Sequence, residues 1–254
     1  MKKTILALLF VGAMHTLQAQ EGVRIGVKGA FNSTWLFNNN VSDVGPSLDY
    51  ESTFGGSLGA QVIFMFAETY GMSAEVLLSS HNQNYVGFLD KNEANTFTLE
   101  NRISYLDIPV LFRVSSPKGP YFEIGPQASI LLGAKESYSS LSNSVANPNY
   151  SDKDFKDDFN GFGLSGILGF GVDIKISEKI NLNTGLRFGY TFTDATSEYS
   201  PSEGTALLLK NELSQNAVLN HTGKDDGKGG NIFDYQKSNR VWGGLNIGLQ
   251  YSFK

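Results

Sequence analysis

Eight segments of this chain alternate apolar and polar residues one for one, and no other feature constrains its fold as tightly. They are Val23–Phe31, Phe54–Phe66, Tyr70–His81, Asn101–Val114, Tyr121–Leu132, Phe162–Ile174, Ile180–Phe192 and Val241–Phe253. A period of two marks a strand with two unlike faces. In the second segment Leu58, Ala60, Val62, Phe64 and Phe66 oppose Ser57, Gly59 and Gln61. In the last, Leu245, Ile247, Leu249, Tyr251 and Phe253 oppose Asn246, Gln250 and Ser252. Each is long enough for the roughly 9–11 residues with which a tilted strand crosses a bilayer.

The links between segments alternate as well. Ala67–Thr69, Ser115–Pro120 and Lys175–Lys179 are short; Asn32–Thr53, Asn82–Glu100, Gly133–Gly161 and Thr193–Arg240 are long. All short links therefore fall at one end of the sheet and all long links at the other. Outer-membrane barrels have this polarity, with short periplasmic turns and long outside loops. The segments predict an all-β fold: an eight-stranded antiparallel up-and-down transmembrane β-barrel, with one barrel domain over residues 20–254.

Composition removes most alternatives. Met1-Lys2-Lys3, the apolar run Ile5–Val11 and the small residue Ala19 read as a secretory signal peptide over residues 1–19. Taking Lys2 and Lys3 from the formal charge of −5 leaves −7 on the mature chain, the wrong sign for a nucleic-acid partner. With no cysteine there is no disulfide, thiol nucleophile or Cys-ligated zinc. Only His81 and His221 of the three histidines follow the signal, which disfavours a His-rich metal centre. No cofactor, catalytic residue or metal ligand is predicted.

A soluble lipocalin-type barrel shares the strand count and the alternation. Two features favour the membrane. Aromatics gather near both strand ends: Phe64, Phe66, Tyr70, Phe112, Tyr121, Phe122, Tyr251 and Phe253 at the turn end, and Phe31, Trp35, Phe54, Phe162, Tyr190, Phe192 and Trp242 at the loop end. Bilayer interfaces select such girdles. The polar parity, moreover, carries charges in mid-strand. A soluble barrel would have to bury them, or else turn the apolar face to water.

Tyr105-Leu106-Asp107-Ile108-Pro109-Val110-Leu111-Phe112, followed by Gly119-Pro120-Tyr121-Phe122-Glu123-Ile124-Gly125-Pro126, resembles the PorT-like outer-membrane β-barrel family of Bacteroidota. Asp158–Leu164, Gly169–Val172 and the terminal Leu249–Phe253 are similar to that family's later strands. The resemblance spans nearly the whole mature chain and concerns barrel geometry. It implies the outer membrane as location, lipid as the surrounding partner, and possible partners among envelope or secretion proteins, since some members serve protein secretion to the cell surface. It supplies no catalytic residues.

The candidate site is the set of charges on the lumen parity: Arg24, Lys28, Arg113 and Arg187 with Glu75, Asp107, Glu123 and Asp173. Four basic and four acidic groups in an eight-stranded interior, which side chains just fill, predict a paired plug. The alternative is a small passive channel. Ser151–Asp158 lacks the register of an EF-hand calcium loop and reads as a solvated loop base. Lys224–Gly230 reads as a flexible loop tip. His81, with Ser79 and Ser80, shows no nearby acid in sequence and reads as a packing residue. Pro109 and Pro126, inside strands, predict a bulge or kink. The expected function is structural or interactive, exercised by a monomeric barrel through its surface loops.

Overall fold

The computed structural model describes residues 22–37, 48–88, 96–140, 149–196 and 237–253. The expected signal segment and the Lys224–Gly230 tip lie outside them. The strands are β1 (Gly22–Phe37), β2 (Leu48–Glu51), β3 (Phe54–Met65), β4 (Tyr70–Phe88), β5 (Thr96–Ser115), β6 (Pro120–Ser140), β7 (Tyr150–Asp154), β8 (Phe162–Lys175), β9 (Ile180–Thr191) and β10 (Asn239–Phe253). Antiparallel pairing runs β1–β3–β4–β5–β6–β8–β9–β10 and closes from β10 back to β1. The eight-stranded barrel is thus formed, and closure leaves its strands no free edge. The two extra strands are short and pair outside the ring, β2 on β4 and β7 on β6.

The short turns are tight because their local chemistry allows it. At the β5–β6 turn the Gly119 amide donates to Ser116 O at 2.9 Å. Gly119 sits at φ 109°, and a Cβ there would lie 2.7 Å from Asp173 O, so only glycine fits. The other two turns close through Phe66 N to Tyr70 O at 3.1 Å and Ile176 N to Ile180 O at 2.9 Å.

Face assignment follows parity through the body of the barrel. Val27, Leu58, Val76, Val110, Ile124, Leu168, Phe188 and Ile247 point outward and are exposed, while Lys28, Gln61, Glu75, Arg113, Glu123, Ser165, Arg187 and Asn246 point inward and are buried. Outward rings mark both rims. Tyr70 stacks on Phe112 at the turn end, and Phe31 on Phe54 at the loop end, with centroids 6.1 and 5.1 Å apart. Two expected girdle members belong elsewhere. Tyr121 and Trp242 are buried inside the lumen, because each shares the parity of its strand's polar residues.

Four strands run well past their expected ends: β1, which reaches Phe37, and β4, β5 and β6. β4, β5 and β6 have 19, 20 and 21 residues and rise past the loop-end girdle. Up there the faces exchange character. On β4 the outward series Met72, Val76, Leu78 gives way to Ser80, Asn82 and Asn84; on β5 Phe112, Val110, Leu106 give way to Ser104, Arg102 and Glu100. Inward residues switch the opposite way, to Tyr85, Leu99, Ile103, Tyr105, Leu131 and Tyr138, which pack as one buried apolar cluster with Leu36 and Phe159. Below this level the barrel is apolar outside and polar inside. Above it, a crown has the ordinary arrangement of a protein in water.

The prolines do not create a bulge. Pairing skips Glu75 and Val76 opposite Ile108 and Pro109, and skips Val110 and Leu111 opposite Gly125 and Pro126, yet the register is the same on either side of both gaps. Each proline withholds a ladder donor without shifting the strand. The register shift lies higher, where Ser104 pairs Gly133 but Tyr105 pairs Leu131, so Leu132 is the extra residue. This bulge falls where the faces exchange character, at the base of the crown.

Candidate functional site: the filled lumen

The barrel wall brings seven of the eight predicted charges into one chain of alternating sign. From the turn end it runs Arg24, Asp173, Arg113, Glu123, Arg187, Glu75, Lys28. Asp173 Oδ2 accepts from Arg24 Nη1 and from Arg113 Nη2, both at 2.8 Å. Arg113 Nη1 lies 3.6 Å from Glu123 Oε2. Arg187 then bridges two carboxylates, reaching Glu123 Oε1 through Nε at 3.1 Å and through Nη2. Its Nη1 and Nη2 donate to the two oxygens of Glu75 at 2.7 and 2.9 Å, a bidentate pair. Lys28 Nζ ends the chain on Glu75 Oε1 at 2.9 Å.

The pairing partners come from opposite walls. In the ring β4, which carries Glu75, is four strands from β9, which carries Arg187. Their contact spans the lumen, which is possible only in a barrel narrow enough for side chains to fill. Burial this deep would be very costly for lone ions, and alternation gives each a counter-charge. Neutral groups take up further valences. Ser73 Oγ donates to Glu75 at 3.2 Å, Asn183 Nδ2 to Asp173 at 2.8 Å, and Arg113 lies flat over the Tyr121 ring at 3.7 Å. Tyr121 in turn has room because Gly171 and Gly185 carry no side chain beneath its hydroxyl.

Asp107 is the predicted charge that stands apart. It sits nearer the crown in a second cluster with His81, Thr34, Ser129 and Arg240. His81 Nε2 donates to Asp107 Oδ2 at 3.0 Å, and Nδ1 faces Thr34 Oγ1 at 3.4 Å. Ser129 Oγ donates to Asp107 Oδ1 at 2.5 Å and accepts from Arg240 Nη2 at 3.0 Å. Arg240 lies over the Tyr105 ring at 4.2 Å. The expectation that His81 lacks an acid is therefore corrected: Asp107 meets it from the neighbouring strand four positions off the paired register, since His81 pairs Ile103. Arg240, assigned to the last long link, is instead a buried lumen cation and the second residue of β10. Among the described residues Arg240 adds a fifth basic group to the buried interior, and Glu136, on the inward face of β6, adds a fifth acidic one.

Between the two clusters lies a cavity of about 20 Å³ lined by Lys28, Arg187, His81, Asp107, Gln127 and Asn246. That is room for about one water. The crown's apolar cluster covers the lumen on the loop side. On the turn side the charge chain ends in a polar bowl of about 560 Å³ whose rim carries Glu68, Lys118 and Lys175 beside Arg24 and Asp173. The Thr34–His81–Asp107 arrangement thus has the residue types of a hydrolytic triad but is enclosed at 2% exposure for each member. Geometry alone does not make a site without access for a substrate.

Ser151–Asp158 is more ordered than a solvated loop base. Tyr150–Asp154 forms β7, Lys156–Asp158 a 3₁₀ turn, and Phe155 is buried. Lys153 packs over the Tyr150 and Phe155 rings, and Tyr150 donates to Glu136 at 2.6 Å. Among the described residues no group of three or more His, Asp or Glu side chains is arranged to hold a metal ion.

The family described as "Outer membrane protein beta-barrel domain" matches residues 18–197. No curated protein sequence matches the chain. Among solved structures, the outer membrane protein OprG from Pseudomonas aeruginosa is similar at 15% identity, with a TM-score of 0.42, over 92% of this chain and 97% of that one. The attachment invasion locus protein Ail of Yersinia pestis is similar at 8% identity, with a TM-score of 0.36, over 92% and 99%.

Proposed function

The chain belongs to the outer membrane protein beta-barrel domain family and resides in the outer membrane, and from that premise we propose that it is a closed pedestal rather than a conduit. Its lumen is a fixed support, and its working surface is the crown with the long links that leave it. The observation that carries this reading is the Arg187 bridge, which holds Glu123 and reaches across the lumen to Glu75 on the opposite wall. The short turns face the periplasm and the crown faces the medium, as the link lengths favour. The role is non-enzymatic: the one triad-like arrangement among the described residues is sealed on both sides. Partners are other envelope proteins. The resemblance to PorT-like barrels favours those of secretion to the cell surface.

Two measurements on the full chain test this. In planar bilayers the purified protein is expected to show no sustained conductance. A photo-crosslinking residue at crown position Thr98 or Ser137 is expected to give discrete protein adducts in intact cells, and the same probe at Ala60 in the barrel wall to give none. Reproducible open channels of a single size, with no crown adducts, would replace the pedestal by a passive channel.

A further inference from the structure

The barrel wall is not uniformly covered on its lipid side. An open groove of about 600 Å³ runs across β6, β8 and β9, and its lining is almost wholly apolar. Its floor exists because two adjacent outward positions carry little side chain. Gly166 on β8 pairs Pro126 on β6, and on its other side pairs Tyr190 on β9. Leu164 and Leu168 stand one step along β8 in each direction, and Ile124, Phe188 and Phe192 complete the walls. The Phe192 ring leans over the gap, so that a Cβ on Gly166 would lie 2.9 Å from its Cζ.

We propose that this groove is a fixed binding site for one acyl chain of a membrane lipid, in the leaflet on the crown side. Three observations select that occupant. The groove is continuous with the outward apolar wall and lies between the loop-end girdle residue Phe162 and the mid-strand residue Leu168. Its lining offers essentially no polar group, which suits a methylene chain and leaves a protein segment's backbone donors and acceptors without partners. Its floor is a single glycine beside a single proline, a width suited to one chain. Small outward residues elsewhere on the wall, such as Ala60 and Ala74, are flanked on both sides by branched side chains: Val27 and Val76, and Val62 and Val110. The inference rests on the membrane setting of the barrel and is independent of whether the lumen is closed or what the crown binds.

Native mass spectrometry of the full-length protein, released gently from lipid vesicles, tests it. Wild type is expected to retain one bound lipid. Gly166→Leu, which fills the floor, should lower that species at least tenfold, whereas Ala60→Leu, at an outward position on β3 away from the groove, should retain it. Heat-modifiable gel migration checks that each variant is folded. Equal retention by all three proteins would overturn the proposal. So would a dimer lost only in Gly166→Leu, which would assign the groove to a second copy. If Gly166→Leu does not fold, a second reporter is available. Trp35→Phe leaves Trp242 as the sole tryptophan, and its ring edge lies against Gly189 at the back of the groove. Lipids with brominated acyl chains should quench its fluorescence, and absence of quenching would overturn the proposal.

Discussion

The crown is built from strands that also run through the membrane belt, and the two regions solve opposite problems. In the belt, β4 and β5 turn Val76, Leu78 and Val110 outward and keep Glu75 and Arg113 within. A few residues on, the same strands turn Asn82, Arg102 and Glu100 outward and keep Tyr85, Leu99 and Ile103 within. The hydrogen-bonded ladder does not change across the boundary; the solvent outside does. In lipid there is no hydrophobic gain in hiding apolar side chains, so the interior is free to be a salt-bridged lattice of alternating charge. In water the usual gain returns, and the crown collects its aromatics inside.

That contrast can be broken by asking one residue type to work in both regions. Arg187→Ala in the belt leaves Glu75 and Glu123 short of their main counter-charge. It is expected to cost about 3–5 kcal/mol, measured by urea unfolding in lipid vesicles. Arg102→Ala in the crown removes an exposed bond to Asp152 at 3.0 Å and is expected to cost at most about 1 kcal/mol. Equal effects would mean that Arg187 is hydrated or points elsewhere.

The next largest effect concerns the crown's own core. Leu99 is fully buried there, and Leu99→Ala should cost about 2–5 kcal/mol of local stability. The expected signature is faster proteolysis of the crown with unchanged heat-modifiable migration of the belt. Simultaneous loss of both would show that the two regions fold as one cooperative unit.

The sharpest contrast within one face comes from adding a charge. Leu168→Arg places a cation outward near mid-belt, for a cost of about 2–4 kcal/mol. Thr98→Arg adds the same cation on the outward face of the crown, where the change should stay within about 0.5 kcal/mol. A large penalty at Thr98 would extend the membrane past the crown's base.

Much of this was legible in the sequence because parity in a strand admits no intermediate. Leu168, Phe188 and Ile247 point outward and Arg187 inward for no reason beyond their place in the alternation. What escaped was of two kinds. The crown was hidden by the exchange itself: on β5 the apolar residues move from even positions, Leu106 to Phe112, to odd ones, Phe97 to Tyr105. Alternation with a changed sense reads as the end of a strand. The shift is visible in the sequence once water and lipid are both allowed as solvents. Trp242 and Tyr121 went to the girdles because they lie near strand ends, although their parity already placed them with Asn246 and Glu123.

The lumen contacts are a different matter. Their residues were legible and their partners were not, because Arg187 and Glu75 meet across the barrel and no ladder register relates them. The His81–Asp107 contact depends on the register in which β4 pairs β5, which alternation within each strand does not specify. Arg240 fell outside the expected last strand by one residue, and with it went the fifth lumen cation.

The exchange of faces can be followed residue by residue, because the chain has no cysteine and any introduced one is unique. Spin labels placed in turn at Met72, Val76, Leu78, Ser80, Asn82 and Asn84 along the outward face of β4 report their surroundings through collisions with oxygen, which favours lipid, and with a water-soluble nickel chelate. High oxygen and low nickel accessibility are expected through Leu78, with a crossover between Ser80 and Asn82 and nickel accessibility at Asn84. A single accessibility regime along the whole strand, lipid-like or water-like, would contradict the exchange of faces.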